Sequence, residues 1–399
     1  MSTDSQRPVV RLKPRTDARP VRWGAPWIYA DSVVTDRRTK AIQPGAIAVL
    51  EDAERNPLAA VAVNPNSKLF ARVLDRDPAA EIGPDWIAGR LKTALALRER
   101  LYADPFYRLV HAEADGFPGV VIDRFGDTAV FQPNAAWAET LAEAFADALV
   151  DVAGVTTVVK NGTGRARVLE GLAEETLIMR GAVDGPIPVP MNGATYMADL
   201  LGGQKTGLFF DQRENHAFAA RLARGARVLD VFSHVGGFGL AAMASGATSV
   251  LAVDGSAPAL ALAESGAKAM GVAEKFATRQ GDAFDTLSAL AGEGAEFDLV
   301  ICDPPAFAPS KKALEAGLRA YEKVARLAAP LVAPGGYLGL CSCSHAAELA
   351  KFRAASTRGI GRAGRFAQLL HTGYAGPDHP QHPQLAESGY LKALFFRLD

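Results

Sequence analysis

The latter half of the chain predicts an α/β fold with a parallel sheet, and three observations carry that prediction. From about residue 190, short apolar runs at 227–231, 249–253, 275–279, 297–302 and 337–341 alternate with helical spacings at 237–245, 257–270, 283–291, 314–331 and 345–357. Parallel strands need crossover connections, so a sheet covered on both faces reads as this alternation. Asp230, Asp254 and Asp282 each end or closely follow one of the first three strands, at the edge where open α/β sheets bind ligands. The third observation is length: 399 residues fill roughly two or three domain cores, so other modules precede this one.

Taken in order, the first segment has β-rich runs at 46–50, 58–63 and 69–74, separated by Pro44-Gly45 and Asn64-Pro65-Asn66. It predicts a small β module over 1–78. Next, 85–104 places Ile87, Leu91, Ala94, Leu95, Leu101 and Tyr102 at helical spacing. Strands follow at 120–125 and 128–132, joined at Gly126-Asp127, then a helix at 137–150 with Trp137, Leu141, Phe145 and Leu149 on one face. Further strands at 155–160 and 175–179 complete an α+β module over 79–188. The α/β domain takes 189–399, with last strands at 366–370 and 389–398. Pro330 predicts a distorted last turn in its helix.

Composition excludes several classes. With 49% hydrophobic and 22% charged residues, the chain is neither disordered nor fibrous. Three cysteines rule out a disulfide scaffold and point to a reducing, cytoplasmic setting. The N-terminus shows no apolar secretory segment. Residues 231–253 lack Asp, Glu, Lys and Arg but hold four glycines and three serines, which reads as a soluble core rather than a membrane span. Net charge is −1, yet residues 1–108 hold 18 Lys and Arg against 13 Asp and Glu, and 351–377 hold five basic residues and no acid. Such local surplus suits a polyanion or a merely solvated face. His379 and His382 lie in a Pro-rich loop with no cysteine pair at zinc spacing, so no metal site is expected.

The strongest motif is VLDVFSHVGGFG, a strand ending at Asp230 and a glycine-bearing turn opening a helix. Asp254, with Gly255 and Ser256, stands where an acid can accept from a ribose diol. G-x-G-x-x-G spacing is absent, and the three acids fit S-adenosylmethionine better than NAD; a turn with no ligand is the plain alternative. After the fourth strand, Asp303-Pro304-Pro305-Ala306-Phe307 makes a stiff turn holding Asp303 at the sheet edge. Phe307 is open to two readings, a base-stacking ring or a packed loop aromatic.

After the fifth strand comes Cys341-Ser342-Cys343-Ser344-His345. C5 of a pyrimidine is a weak nucleophile; a thiolate adding to C6 activates it, and a helix starting near His345 would favour the Cys343 thiolate. Cys302, inside a strand, reads as core, and Cys343 as either nucleophile or loop filler. Finally, residues 202–213, GGQKTGLFFDQR, are not a P-loop and suggest a segment folding over the cleft.

Across nearly its whole length the chain resembles the bacterial large-subunit ribosomal RNA cytosine-C5 methyltransferases with an N-terminal PUA domain. The resemblance rests on APWIYADSV with NPNSKLFARVL, EADGFPGVVIDRFGD, GGQKTGLFFDQREN, LDVFSHVGGFGLAA, and DPPAFAPS with CSCSH. It implies a PUA RNA-binding domain, a small α+β middle domain and a Rossmann-like class I methyltransferase domain of seven strands in the order 3-2-1-4-5-7-6. It implies S-adenosylmethionine as cofactor, large-subunit rRNA as partner and no membrane; a homodimer is left open. Carried over, Cys343 is the nucleophile and Asp303 faces the base, with Pro304, Pro305 and Phe307 beside the substrate. Cofactor contacts fall on Phe210, Asp211, Arg213, Asp230, Phe232, Ser233, Gly236, Gly237, Asp254, Ser256, Asp282 and Ala283. His234 and Val235 depart from the family's usual tyrosine and threonine, so an altered cofactor contact is expected there. The PUA segment reads Gly24-Ala25-Pro26-Trp27, where a histidine commonly precedes the proline, and 264–271 lacks the asparagine often found after the second strand.

The expected activity is therefore formation of 5-methylcytosine in large-subunit rRNA. Methylation of another base position or an exocyclic nitrogen, needing no cysteine, and a non-catalytic RNA-binding assembly factor are the alternatives.

Overall fold

The computed structural model of the chain describes residues 7–203 and 207–399. Gln204, Lys205 and Thr206, part of the expected covering segment, lie outside the described residues. The chain divides into two compact units: residues through Asp184 with Pro380–Leu385, and Gly185–His379 with Ala386–Asp399.

The first unit holds two five-stranded sheets. One runs Val9–Arg11, Ile47–Glu51, Pro57–Val63, Leu69–Asp75, Trp27–Tyr29 across its width. The other runs Glu175–Arg180, Thr157–Gly162, Thr128–Pro133, Val120–Phe125, Phe106–His111. Helices Pro84–Leu101 and Ala142–Ala153 pack together beside the second sheet, where Phe117, Phe131, Trp137 and Phe145 form an aromatic core. The helix expected over 137–150 is broken at Leu141 into Ala136–Thr140 and Ala142–Ala153. The Thr140 hydroxyl donates to the Ala136 carbonyl at 3.0 Å, a bond that bends helices.

The second unit is built on one seven-stranded sheet. In chain order its strands are Arg227–Val231, Ser249–Asp254, Phe276–Gln280, Phe297–Cys302, Val332–Ser342, Ala367–Gly373 and Lys392–Leu398. Counted that way the sheet runs 3-2-1-4-5-7-6, and the last strand runs antiparallel to the other six. The order reverses beside the first strand, so the clefts above strands one and four are the topological switch point. Helix Leu314–Ala328 gives way to a 3₁₀ turn at Ala329–Leu331, where Pro330 cannot continue the α ladder.

A hairpin, Ile187–Met191 with Ala194–Ala198, precedes the sheet and turns at Asn192 and Gly193, both at positive φ (55° and 75°). It packs against helices Gly237–Ala244 and Ala257–Ala269. One correction bears on the chemistry. The last helix begins at Leu349, not His345, because Ser344 to Glu348 form a turn first. Its N-terminus is therefore six residues along the chain from Cys343 rather than the two expected.

Candidate active site

The first strand delivers the site's most strained backbone. Phe232, His234 and Gly236 all have positive φ (61°, 50° and 80°) within five residues. For Phe and His this conformation costs about 1–3 kcal/mol each and is held only by surrounding structure. Two acids do the holding. Asp230 accepts from the Gly239 amide at 2.8 Å, and Asp254 accepts from the His234 amide at 2.9 Å and the Ser256 amide at 2.8 Å. Asp230 is fully buried, and burial pushes its carboxyl up to about 7.

Helix Gly237–Ala244 starts directly after this turn because the turn demands small residues. A Cβ on Gly237 would lie 2.8 Å from Nε2 of His216. That ring is buried between Tyr196 and Phe238, and burial pushes it down to about 3, so it is neutral.

Above this edge lies a cavity of about 420 Å³. Phe209, Asp211, Gln212, Phe232, His234, Asp254, Gly255, Asp303, Pro304, Pro305, Ala306, Cys343 and Leu391 line it. A smaller hollow shares Phe209, Gln212, Phe232, His234 and Asp303 with it and reaches Ser233 and Gly237. The volume is that of an ordinary small-molecule site.

Each chemical group has a visible reason to be there. The Asp303 amide donates to the Val231 carbonyl at 3.1 Å, and its carboxylate accepts from Gln212 Nε2 at 2.8 Å. Gln212 is itself set by Asn215, whose Nδ2 donates to it at 2.6 Å. Around Cys343 the side chains alternate as in a strand. Ser342 and Ser344 turn inward to the Tyr321 hydroxyl, at 2.9 and 2.7 Å, and Ser344 Oγ also accepts from the Ala308 amide at 2.9 Å. With both serines fixed inward, Cys343 faces the cavity, its sulfur 4.0 Å from the Pro304 carbonyl oxygen. Cys302 and Cys341 are buried, and burial pushes both thiols up, as inert core residues.

The remaining expected residues divide. Pro304 and Pro305 line the cavity with Asp303. Phe307 does not; it packs on Tyr321 with ring centroids 5.0 Å apart, the packed reading of the two. Asp230, Gly236, Ser256, Asp282 and Ala283 also stand outside the cavity lining. Asp282 caps helix Ala283–Gly292, accepting from the Phe284 and Asp285 amides at 2.8 and 3.1 Å. Phe210 is fully buried with the Arg213 guanidinium over its ring at 5.6 Å, while Phe209 next to it faces the cavity. Asp211 accepts from the Tyr390 hydroxyl at 2.6 Å. Leu391 was not singled out from sequence, and Phe209, Gln212, Gly255 and Ala306 were named there only as parts of their motifs. His234 carries its departure into the site, with its ring 4.8 Å from that of Phe209.

Two buried oxygens here, Asp211 Oδ1 and Ser233 Oγ, meet no partner among the described residues. Buried polar atoms are rarely left so. With carboxylates for a cation and diol, and aromatic walls for a planar base, they fit S-adenosylmethionine. No helix among the described residues is long and apolar enough to cross a membrane, and no cluster there could hold a metal ion.

Residues 179–397 match the S-adenosylmethionine-dependent methyltransferase family, and residues 10–76 match the PUA-like domain. The chain is thus an S-adenosylmethionine-dependent methyltransferase carrying a PUA-like domain. Among curated relatives, "Ribosomal RNA large subunit methyltransferase" of Deinococcus radiodurans is 36% identical over 99% of both chains. "Ribosomal RNA large subunit methyltransferase I" of Shewanella denitrificans is 32% identical, covering 98% of this chain and 99% of that one. The chain belongs to this ribosomal RNA large subunit methyltransferase family. Among solved structures, a SAM-dependent methyltransferase from Streptococcus mutans superposes with a TM-score of 0.81 at 18% identity, over 98% of this chain and 100% of that chain. SMU.776, solved with SAH, gives the same TM-score at 19% identity over the same shares. At that identity the likeness speaks for the fold.

Proposed function

We propose that this chain forms 5-methylcytosine in large-subunit ribosomal RNA through a covalent bond between Cys343 and C6 of the target base. The observation that carries the reading is the placement of the Cys343 sulfur and the Asp303 carboxylate on one cavity with Asp254. The substrate class rests on what the full-length relatives are named for.

S-adenosylmethionine, when bound, supplies an electrophilic methyl group on sulfur. Asp254 would hold its ribose, and Phe209, Phe232, Ser233 and Asp211 would contact the rest. Asp282 is proposed for the adenine only with its cap intact. The chain's own chemistry begins at Cys343. Its thiolate adds to C6, and the C5–C6 electron pair moves to C5, which takes the methyl. A base then removes the C5 proton; that electron pair re-forms the double bond as the C6–sulfur bond breaks and the thiolate returns. Asp303, held by Gln212, faces the base and orients it. The site cannot reach a stacked base, so the nucleotide is flipped out. The PUA-like module over 1–78, with 13 Lys and Arg against nine Asp and Glu, would grip the RNA backbone, with the middle module over 79–188 beside it in the chain, in the cytoplasm where ribosomes are made.

The test uses ribosomal RNA in which fluorine replaces hydrogen at C5 of cytosine, so the last elimination is blocked. Wild-type chain with cofactor is expected to give a protein–RNA complex that survives denaturation, and Cys343→Ala none. A complex of equal yield with Cys343→Ala removes the nucleophile assignment; methylation without any complex favours an exocyclic nitrogen.

A further inference from the structure

Burying a cation without an anion is among the most expensive arrangements in a protein. Arg98, Lys160, Arg167 and Lys392 are the buried cations among the described residues. Three sit on carboxylates: Arg98 on Asp115 at 2.6 Å, Lys160 on Glu139 at 2.8 Å, and Arg167 on Glu139 at 2.8 Å. Lys392, only 4% exposed, has no carboxylate at ion-pair distance among the described residues. Its one hydrogen bond there goes from Nζ to the Ser344 carbonyl oxygen, at 2.7 Å.

Its position explains what it is for. Lys392 lies on the last strand directly opposite Ser342, and its ammonium reaches the carbonyl of Ser344. The ammonium therefore ends at the backbone of the residue that follows Cys343, while Leu391, its neighbour in the chain, lines the cavity. We infer that Lys392 is the counter-ion of the Cys343 thiolate, a positioning residue that places a positive charge beside it.

Electrostatics supports the pairing. Burial pushes the Lys392 ammonium down to about 8, and Cys343 is the group that opposes this by its charge. The attraction is mutual, so the ammonium favours the thiolate equally. Of the other titratable groups lining the cavity with Cys343, His234 carries a ring that can hold a proton, and Asp211, Asp254 and Asp303 bring no positive charge. Tyr321, from helix Leu314–Ala328, is neutral with its hydroxyl pushed up by burial, and Asp303 and Asp211 across the cavity are acids. His345 is exposed in the following turn.

This inference rests on the reading of Cys343 as nucleophile, but its test needs no RNA. Iodoacetamide alkylation of Cys343 is followed by peptide mass spectrometry across pH, on the full chain, for wild type, Lys392→Met and Lys392→Arg. In wild type the midpoint should lie below the ordinary thiol value of about 8.5. Lys392→Met should raise it by about one unit or more, making alkylation near neutral pH roughly tenfold slower, and Lys392→Arg should restore it. The buried Cys302 and Cys341 report folding, since their labelling marks a misfolded variant. A wild-type midpoint at or above 8.5 overturns the pairing whatever the variants do, as does a low midpoint unchanged in folded Lys392→Met. A depressed, lysine-dependent midpoint in a chain that makes no 5-methylcytosine would instead leave the pairing standing and defeat the proposed function.

Discussion

Replacing Asp230 by asparagine should make the methyltransferase unit more stable at high pH relative to wild type, and not at low pH. Asp230 is completely buried under helix Gly237–Ala244, one oxygen on the Gly239 amide and the other without a partner among the described residues. Burial raises its carboxyl from 3.8 to about 7. A raised folded value means the protonated form suits the fold; its contribution is complete below 3.8 and is lost as pH climbs through 7. At about 1.36 kcal/mol per pH unit, levelling off around the folded value, the wild type should lose about 2–3 kcal/mol between pH 5 and pH 8 through this group, and almost nothing beyond. Asparagine keeps an acceptor for Gly239 and has no charge to lose. All four tryptophans, at 23, 27, 86 and 137, lie in the other unit, so fluorescence would report the wrong part of the chain. Hydrogen exchange of a peptide spanning Arg227–Val231 reads the right core strand. The stability of Asp230→Asn minus wild type, taken at each pH, should rise by about 2–3 kcal/mol from pH 5 to pH 8. A difference that stays flat, or falls, would refute the assignment of a costly buried charge beneath the loop.

Gly237→Ala would push a methyl to 2.8 Å from the immobilised His216 ring, so a loss of roughly 1–3 kcal/mol is expected by the same exchange measurement. Ser344→Ala strips an acceptor from the buried Ala308 amide and a partner from Tyr321, with a comparable cost of about 1–3 kcal/mol by thermal unfolding. Gln212→Ala removes one hydrogen bond from the Asp303 carboxylate; losing one bond to a charged group, about 1.5 kcal/mol, should slow turnover roughly tenfold while calorimetry finds cofactor affinity unchanged.

Much of this architecture is legible in the primary structure because alternation is a period-based signal. The runs 227–231 and 297–302 coincide with their strands, since both are apolar, β-branched and bounded by Asp or turn residues. The three-residue strands Val9–Arg11 and Trp27–Tyr29 are too short to show a period. The hairpin at Asn192-Gly193 was readable from its turn dipeptide, but two prolines within Ile187–Met191 disguise the strand before it. In the site, Asp254, Asp303 and Cys343 face the cavity, as their places after strands suggest. Asp230 and Asp282 do not, because each carboxylate serves amides in the first turn of a helix, Asp230 from the neighbouring strand and Asp282 as the cap. Lys392 gave no signal at all. A lone lysine in an apolar strand gains meaning only when the antiparallel register sets it opposite Ser342.

The most direct measurement is nucleoside mass spectrometry of large-subunit ribosomal RNA, taken from cells lacking this protein and treated with purified chain and cofactor. The account expects new 5-methylcytidine with wild type and none with Cys343→Ala. A methyl group arriving on a ring nitrogen, an exocyclic amine or a ribose, or arriving undiminished without the thiol, would contradict it.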